Sequence, residues 1–196
     1  MLAKLISLRS VTDRDTLYVF ECPEIVKAAS PGQFVELKLN DWLDPFLRRP
    51  LSLFDVEGDT FSLLVRTVGK GTEHMTYWKP GVYVDVLGPL GNSFSWAEDD
   101  ENFLLVGGGI GLAPLNFLAR RLLSNNKQVR LLFSPRRDGK LLDAMPDELR
   151  VRISVSYADN RASLPDALIS SLADGVDRVF SCGPVGLMKT VAEISN

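Results

Sequence analysis

The sequence predicts a two-part fold, an antiparallel β barrel followed by an α/β domain built on a parallel sheet. The first half contains short alternating segments rich in Val, Leu, Phe, Tyr and Thr, separated by turns with Gly and Pro, which is typical of a small barrel. From about residue 102, apolar strands alternate with segments of helical periodicity. That alternation indicates a parallel sheet with crossover helices. The change of pattern predicts domains at residues 1–97 and 98–196.

The barrel half contains segments with strand character at residues 3–10, 16–22, 33–39, 61–67 and 82–87. Turn sequences separate them: Ser-Pro-Gly at 30–32, Glu-Gly-Asp at 57–59, Lys-Pro-Gly at 79–81 and Gly-Pro-Leu-Gly at 88–91. We therefore expect five or six strands in this half.

The second half is predicted to contain four strands and three helices. The strands are expected at 102–106, 129–133, 151–156 and 179–181, and the helices at 114–124, 165–172 and 185–194. In the first helix Leu115, Leu118, Ala119 and Leu122 follow the helical period. The acidic run at 98–101 is expected to be a solvated linker between the halves.

Composition narrows the class of protein. The chain has 196 residues, 45% hydrophobic and 24% charged, with a net charge of −3 and no basic run. These values favour a globular protein and argue against a nucleic-acid binder and against an electrostatically bound membrane-surface protein. No signal peptide and no membrane span are evident, so we expect a cytoplasmic protein.

The two cysteines and the single histidine indicate no metal site. Cys22 and Cys182 are far apart in the sequence, fit no zinc spacing and cannot supply the four ligands of an iron–sulfur cluster. Two reduced thiols are the ordinary interpretation for a cytoplasmic chain.

The strongest local motif is Phe-Leu-Leu-Val-Gly-Gly-Gly-Ile-Gly-Leu-Ala-Pro at 103–114. A strand that runs through glycines into a helix lets the backbone approach a pyrophosphate, whose charge the helix N-terminus stabilises. Gly107 and Gly109 match the first two glycines of the dinucleotide fingerprint, whereas Leu112 stands at the third. A tight turn without a ligand is the alternative.

Two weaker motifs lie in the barrel half. The first is Arg-Arg-Pro-Leu-Ser-Leu at 48–53, where Arg49 and Ser52 are expected to point at a ligand, the arginine as an anion clamp. The second is Leu-Val-Arg-Thr-Val-Gly-Lys-Gly-Thr at 64–72, where Thr72 is expected to be the N-cap of a short helix through Trp78 and to mark an anion site. Solvated surface arginines and an ordinary capped helix are the alternatives.

The fourth motif, Phe-Ser-Cys-Gly-Pro at 180–184, ends a strand and leads into a helix. Ligands bind at this carboxyl edge of a parallel sheet. Cys182 itself is more often a buried small residue than a reactive one.

Taken together and in this order, the motifs resemble the ferredoxin–NADP⁺ reductase superfamily over nearly the whole chain. Within it, the chain looks most like the electron-transfer subunit of NAD-linked dihydroorotate dehydrogenase, a flavoprotein of pyrimidine biosynthesis. That subfamily has the Arg-Arg-Pro-aliphatic-Ser form seen at 48–52, where plant-type reductases place a tyrosine. The resemblance implies an FAD-binding barrel, a nicotinamide-dinucleotide-binding domain and electron transfer to or from a protein redox partner, such as a dihydroorotate dehydrogenase catalytic subunit.

The resemblance also implies roles for individual residues, by motif match alone. FAD would be bound by Arg49, Pro50, Leu51, Ser52, Leu64, Val65, Arg66, Gly69, Gly71 and Thr72. The nicotinamide dinucleotide would be bound by Gly107, Gly108, Gly109, Ile110, Gly111, Ala113, Pro114, Asp159, Cys182, Gly183 and Pro184. Ser52 and Cys182 would lie near the site of hydride transfer, and no general acid or base is implied because the cofactors supply the chemistry.

The residues after two predicted strands bear on whether the chain prefers NAD(H) or NADP(H), and they point in opposite directions. Ser-Pro-Arg-Arg at 134–137 offers groups for the 2′-phosphate of NADP(H), whereas Asp159 offers an acid for the ribose diol of NAD(H). The resemblance favours NAD(H). The subfamily also carries a cysteine-rich tail that binds a [2Fe–2S] cluster. This chain has no cysteine after Cys182, so we expect no cluster in it. Either the tail is truncated here or the chain is a relative without the cluster, and the sequence leaves both alternatives open.

Two other functions remain open from the sequence. The chain is alternatively a stand-alone flavin or quinone reductase on the same fold. The second alternative is a non-catalytic, flavin-binding interaction subunit with a vestigial nicotinamide site.

Overall fold

The computed structural model describes residues 1–39, 46–135, 139–158 and 162–195. The chain divides into two units, Met1–Phe94 and Ser95–Asn196. Residues 95–97, which the sequence pattern assigned to the barrel, thus fall in the second unit.

The first unit is an antiparallel β structure, as predicted. Among its described residues seven strands form one sheet: β1 (Leu2–Ser10), β2 (Asp15–Glu21), β3 (Phe34–Leu37), β4 (Arg49–Ser52), β5 (Asp55–Glu57), β6 (Thr60–Arg66) and β7 (Tyr83–Leu90). Their spatial order is β4-β3-β7-β1-β2-β6-β5. β4 and β5 were not among the predicted strands because each is too short to show an alternating pattern.

Two short helices complete the described part of this unit, α1 (Pro23–Ala28) and α2 (Lys70–Met75). α1 was not predicted, although Pro23 at its first position is a recognised start signal. α2 was expected to extend through Trp78 but ends at Met75.

Aromatic side chains from β2, β6 and the segment after α2 pack together in the core of this unit. The Phe20 and Phe61 rings are stacked with centroids 5.3 Å apart, and Trp78 meets Phe20 edge-on at 6.4 Å. Such pairs contribute about 0.5–1.5 kcal/mol each beyond their burial. Trp78 therefore attaches the chain that follows α2 to the sheet.

The second unit is an α/β structure with a parallel sheet, which confirms the predicted class. Within residues 95–135, 139–158 and 162–195 its strands are β8 (Asn102–Gly108), β9 (Gln128–Ser134), β10 (Ser154–Tyr157) and β11 (Arg178–Cys182), in the order β10-β9-β8-β11. Its helices are α3 (Leu112–Ser124), α4 (Asp147–Arg150), α5 (Leu164–Ala173) and α6 (Val185–Ile194).

Both faces of this sheet are covered by helices. Leu104 and Val106 of β8 belong to a buried cluster with Leu164 and Leu168 of α5 and with α6. On the other face Gly107 lies against Leu115 of α3. Continuous burial explains why residues 103–106 of β8 are all apolar rather than alternating with polar ones.

Two predicted elements differ in the structure. The strand expected at 151–156 starts only at Ser154, because α4 is continued by turn hydrogen bonds at Val151 and Arg152. The acidic run at 98–101 is solvated as expected, with Glu98, Asp99 and Glu101 exposed, but it belongs to the second unit instead of linking two halves. Asp100 accepts a hydrogen bond from Arg178 (2.8 Å) and Glu101 from Lys127 (2.6 Å).

No helix in the described part of the chain is both long and apolar enough to span a membrane. The described residues also contain no group of three or more His, Cys, Asp or Glu side chains placed to hold a metal ion.

Candidate functional site

In the first unit, Arg49 and Gly71 are in direct contact. Arg49 begins β4, and its guanidinium lies over Gly71, where a Cβ atom would be 2.6 Å from Arg49 Nε and 2.9 Å from a methyl of Leu39. Arg49 Nη1 also donates to the Leu47 carbonyl at 2.6 Å. Two motifs from separate parts of the sequence, the Arg-Pro-Leu-Ser segment and the glycine turn, are thereby brought together.

The turn at residues 67–72 leads from β6 into α2. Its N-cap is Gly69, not Thr72 as expected from the sequence. The Thr72 hydroxyl reaches back instead, accepting the amide N–H groups of Val68 (2.9 Å) and Gly69 (3.3 Å) and donating to the Gly69 carbonyl. The amides of Val68 and Gly69 are therefore already bonded. The first amides of a helix have no intrahelical acceptor, and that of Gly71, at the second position of α2, lies beside the Arg49 cation.

The β6 residues assigned to the flavin differ in their surroundings. Leu64 and Val65 are buried. Arg66 makes a two-point ion pair with the nearly fully buried Asp15, Nε to Oδ1 at 2.7 Å and Nη2 to Oδ2 at 3.0 Å. Its guanidinium charge is therefore already matched by a carboxylate.

The four residues of β4 alternate between the two faces of the sheet. Side chains in a strand point to opposite faces with a period of two, so Arg49 and Leu51 share one face while Pro50 and Ser52 share the other. A ligand that contacts both Arg49 and Ser52 would have to extend past the strand. The neighbouring Arg48 is committed elsewhere, since it donates to the carboxylate and the carbonyl of Asp85, and this contact lowers the pKa of Asp85.

In the second unit, the glycine motif forms the turn between β8 and α3. Gly107 and Gly108 end β8, and residues Gly109–Gly111 form a single 3-10 turn before α3 begins at Leu112. Gly109 has φ 53°, a left-handed conformation that disfavours other residues. The thirteen-residue α3 then places its N-terminus at the carboxyl edge of the sheet, where an anion is favoured.

The same turn contacts the end of β11. Cys182 pairs with Gly107 across β11 and β8, and a Cβ atom on Gly111 would collide with the Cys182 carbonyl and lie 2.8 Å from the Gly183 nitrogen. Gly111 thus supplies the close backbone approach that the dinucleotide fingerprint gives to its third glycine, although Leu112 occupies that glycine's place in the sequence.

Gly108 also packs closely against the segment that follows β11. A Cβ atom there would lie 2.8 Å from both Pro184 and Leu187, and Gly183 rests on the Gly108 backbone. Ala113 and Pro114 are buried in the first turn of α3, while Ile110 is half-buried. The second unit therefore assembles, at one edge of its sheet, the assigned nucleotide residues that lie within the described part of the chain.

Cys182 is half-buried at this edge, and burial raises the pKa of its thiol. A thiol in that condition stays protonated at neutral pH and is a poor nucleophile. It is suited to shaping a pocket rather than to covalent chemistry.

The two strand ends that bear on cofactor preference are only partly described. Ser134 ends β9, and Tyr157 ends β10 with its ring over Gly139, whose Cβ position lies 3.2 Å from the ring. Asp159, Arg136 and Arg137 lie outside the described residues.

Comparison with known proteins identifies the family. No family model matches the sequence. The chain is 34% identical over 176 residues to the dihydroorotate dehydrogenase B (NAD(+)) electron transfer subunit of Shouchella clausii, covering 86% of this chain and 68% of that protein. It is 30% identical over 198 residues to the subunit of the same name from Desulforamulus reducens, covering 97% and 76%. The chain belongs to the family of dihydroorotate dehydrogenase B electron transfer subunits.

A solved structure supports the same assignment at the level of the fold. The NADH-dependent reduced ferredoxin–NADP oxidoreductase superposes with a TM-score of 0.84 at 27% identity, over 100% of this chain and 72% of that one. The resemblance to ferredoxin–NADP⁺ reductases stated from the motifs is thus confirmed.

Two residues of this electron transfer subunit were missed from the sequence. Leu39 lies against Gly71 beside Arg49, and Asp15 neutralises Arg66. Leu39 carries no sequence signal, since it is one more apolar strand residue. Asp15 does carry one, because it precedes the apolar centre of β2 at residues 17–20, and a carboxylate requires a partner once buried.

Proposed function

We propose that this chain is an FAD-containing, NAD(P)H-linked oxidoreductase component that exchanges hydride with a nicotinamide dinucleotide and electrons with a protein partner. The observation that carries the proposal is the Arg49–Gly71 contact. It joins a cation to a glycine turn at the residues that the family resemblance assigns to FAD.

The residues present suit a flavin dinucleotide. Arg49 supplies a planar cation that binds phosphate oxygens at two points. The first turn of α2 would supply the amide donor of Gly71 beside Arg49, and above Gly69 the space is open, since an added Cβ atom would meet nothing within 4 Å. Leu51 would offer an aliphatic surface to the flavin ring, and Ser52 a hydroxyl.

The second unit would hold the nicotinamide dinucleotide. The turn at Gly109–Gly111 would receive the pyrophosphate at the N-terminus of α3, and residues Cys182, Gly183 and Pro184 would border the nicotinamide. When bound, the two cofactors supply hydride exchange and one-electron release. The chain contributes position and charge, and no side chain is proposed as a general acid or base.

We further propose a preference for NAD(H) over NADP(H) and no [2Fe–2S] cluster ligated by these 196 residues. The names of the relatives, which specify NAD(+), support the first. The second is supported by the two cysteines, because a cluster of this type needs four ligands.

The proposed partner is a dihydroorotate dehydrogenase catalytic subunit. The support is family membership, since the relatives are named as electron transfer subunits of that enzyme. The partner would supply the dihydroorotate chemistry and this chain the nicotinamide chemistry.

The test begins with a visible spectrum of the purified protein, with FAD added if none is bound. Anaerobic addition of NADH is expected to bleach the flavin absorbance, and NADPH to do so much more slowly. Iron analysis is expected to find none above background. A protein that neither retains nor takes up FAD would overturn the proposal.

A second assay separates the alternatives. Adding a dihydroorotate dehydrogenase catalytic subunit is expected to produce NAD⁺-dependent oxidation of dihydroorotate that neither protein shows alone. Rapid NADH oxidation by a quinone or free flavin without that subunit would favour a stand-alone reductase. FAD binding without reduction by either nucleotide would favour a non-catalytic subunit.

A further inference from the structure

The hairpin between β1 and β2 is bonded to the end of β6. Asp15 lies opposite Arg66 in the β2–β6 pairing and is 3% exposed. Its two carboxylate oxygens each accept one N–H of the Arg66 guanidinium, and Oδ2 also accepts the Thr12 hydroxyl at 2.7 Å. The Thr12 hydroxyl in turn accepts the amide N–H of Asp15 at 3.1 Å.

Thr67, the residue directly after β6, is held by the same hairpin. Thr67 donates its amide N–H to the Arg14 carbonyl, and the Arg14 guanidinium donates to the Thr67 carbonyl, both at 2.8 Å. Val68 follows directly and begins the part of the turn that Thr72 closes. The exit of β6 is thus fixed immediately before the chain reaches the residues beside Arg49.

These contacts give Arg66 a different role from the one its motif implies. Asp15 already holds two of the five N–H donors of Arg66 and neutralises its charge, so a phosphate at the remaining donors would gain little electrostatic attraction. Drawing the cation away would leave the buried Asp15 carboxylate unmatched. The Arg49 guanidinium, by contrast, donates to two main-chain carbonyls, those of Leu47 and Arg48. A phosphate that binds Arg49 therefore has no such ion pair to break.

We propose that Asp15 and Arg66 are positioning residues that fix the end of β6 and the turn at 67–72 for FAD, and that Arg66 is not a ligand of the FAD phosphates. This rests on the proposed function. On this proposal, FAD affinity depends on the position of the turn that the Asp15–Arg66 pair maintains, and not on attraction between the Arg66 charge and the phosphates.

The experiment measures the dissociation constants of FAD and riboflavin for the full-length apoprotein of the wild type, Asp15→Asn, Arg66→Gln and the double variant. Riboflavin lacks the pyrophosphate, so the FAD-to-riboflavin ratio reports the turn, whereas general loss of fold weakens both ligands alike. Asp15→Asn is expected to raise the FAD constant about tenfold relative to riboflavin. The double variant is expected to be no worse than either single one.

A phosphate-ligand role for Arg66 gives the opposite pattern. Asp15→Asn would then keep or improve FAD binding because it frees the cation, and adding Arg66→Gln would cause a further loss; that result overturns the proposal. Asp59→Asn, at the other end of β6, is the charge-matched control and is expected to leave the ratio unchanged.

Two further outcomes are decisive. If Asp15→Asn does not fold, Thr12→Val leaves both carboxylate and guanidinium in place and removes the hydroxyl that donates to Asp15 and accepts the amide N–H groups of Arg14 and Asp15. A shift of the ratio in the same direction, about two- to threefold, is expected; no shift would count against the pair. Wild-type protein that binds no FAD would overturn the proposed function, whereas wild-type binding with an unchanged ratio in Asp15→Asn would overturn only this inference.

Discussion

The Arg49 guanidinium lies against Gly71, and it can occupy this position only because Gly71 has no side chain. A methyl group at Gly71 would come within 2.6 Å of Arg49 Nε. Because the obstructing atom is the far end of a flexible side chain, substitution is expected to move the arginine rather than to unfold the chain.

Gly71→Ala is therefore expected to weaken FAD binding about tenfold while the thermal midpoint of the apoprotein changes by no more than a few degrees. Calorimetric titration with FAD and thermal unfolding measure the two effects. Glu73→Ala, at an exposed position of the same helix, is the control and is expected to cause no loss. Equal FAD affinity in Gly71→Ala would argue that the Arg49 position does not matter.

The adjacent arginines Arg48 and Arg49 are expected to behave differently. Arg49→Ala should weaken FAD binding by about 1.5–3 kcal/mol, the range of a charge-assisted hydrogen bond. Arg48→Ala should leave FAD affinity nearly unchanged and lower the free energy of unfolding, because Arg48 pairs with Asp85. Titration of both variants with FAD, with urea unfolding alongside, tests the assignment, and a reversed order of the two affinities would contradict it.

Gly109→Val is expected to slow reduction of the flavin by NADH at least tenfold while FAD remains bound. A β-branched residue is strained at φ 53°, and Gly109 is the first residue of the turn that leads into α3. Gly175→Val is the control, since Gly175 also has a positive φ, of 74°, has open space around it and lies outside the glycine motif. Anaerobic stopped-flow reduction compares them, and equal slowing in both would show that strain alone is responsible.

Alkylation of Cys182 is expected to be slow at neutral pH and to accelerate as the pH rises. Burial raises the pKa of this thiol above its usual value near 9.0, so little thiolate is present at pH 7. Peptide mass analysis after iodoacetamide treatment at several pH values measures the rate, with a free cysteine peptide as reference. Bound NADH should protect the thiol, and labelling at pH 7 as fast as that of the peptide would contradict the interpretation.

Acid is expected to destabilise the second unit through Asp177. The backbone N–H groups of Glu101 and Asn102 donate to its carboxylate and lower its pKa below the usual 3.8. A lowered pKa means that the stabilisation is complete above the unfolded-state pKa and is lost as the pH falls through the folded-state pKa. Urea unfolding of the full chain between pH 7 and pH 2 should thus show a smaller acid dependence for Asp177→Asn than for the wild type.

The matched control for this measurement is Asp99→Asn, an exposed acid of the neighbouring run. It is expected to retain the wild-type pH dependence. An unchanged dependence in Asp177→Asn would show that its hydrogen bonds contribute nothing to the acid transition.

Prediction from the sequence succeeded where a residue's role depends on its immediate neighbours. The uniform apolar character of β8 and the glycines after it predicted a buried strand running into a helix N-terminus, because burial and turn geometry are local properties. Prediction failed for β4 and β5, which are too short for periodicity, and for Thr72, whose hydroxyl bonds backward to Val68 and Gly69 rather than forward. The acid at Asp159 and the arginines at 136–137 stay predictions.

The sequence by itself determined the two-part architecture, its fold class and the family, since these follow from hydrophobic period, turn residues and motif order. Only the tertiary structure decided which charges are available to a ligand. The motifs assign Arg49 and Arg66 alike to FAD, yet Arg66 is paired with Asp15 whereas Arg49 lies over a glycine. Arg48, next to Arg49 in the sequence, is paired with Asp85. The reason is that ion pairs and backbone contacts join residues distant in the chain, and strand pairing sets which side chains meet.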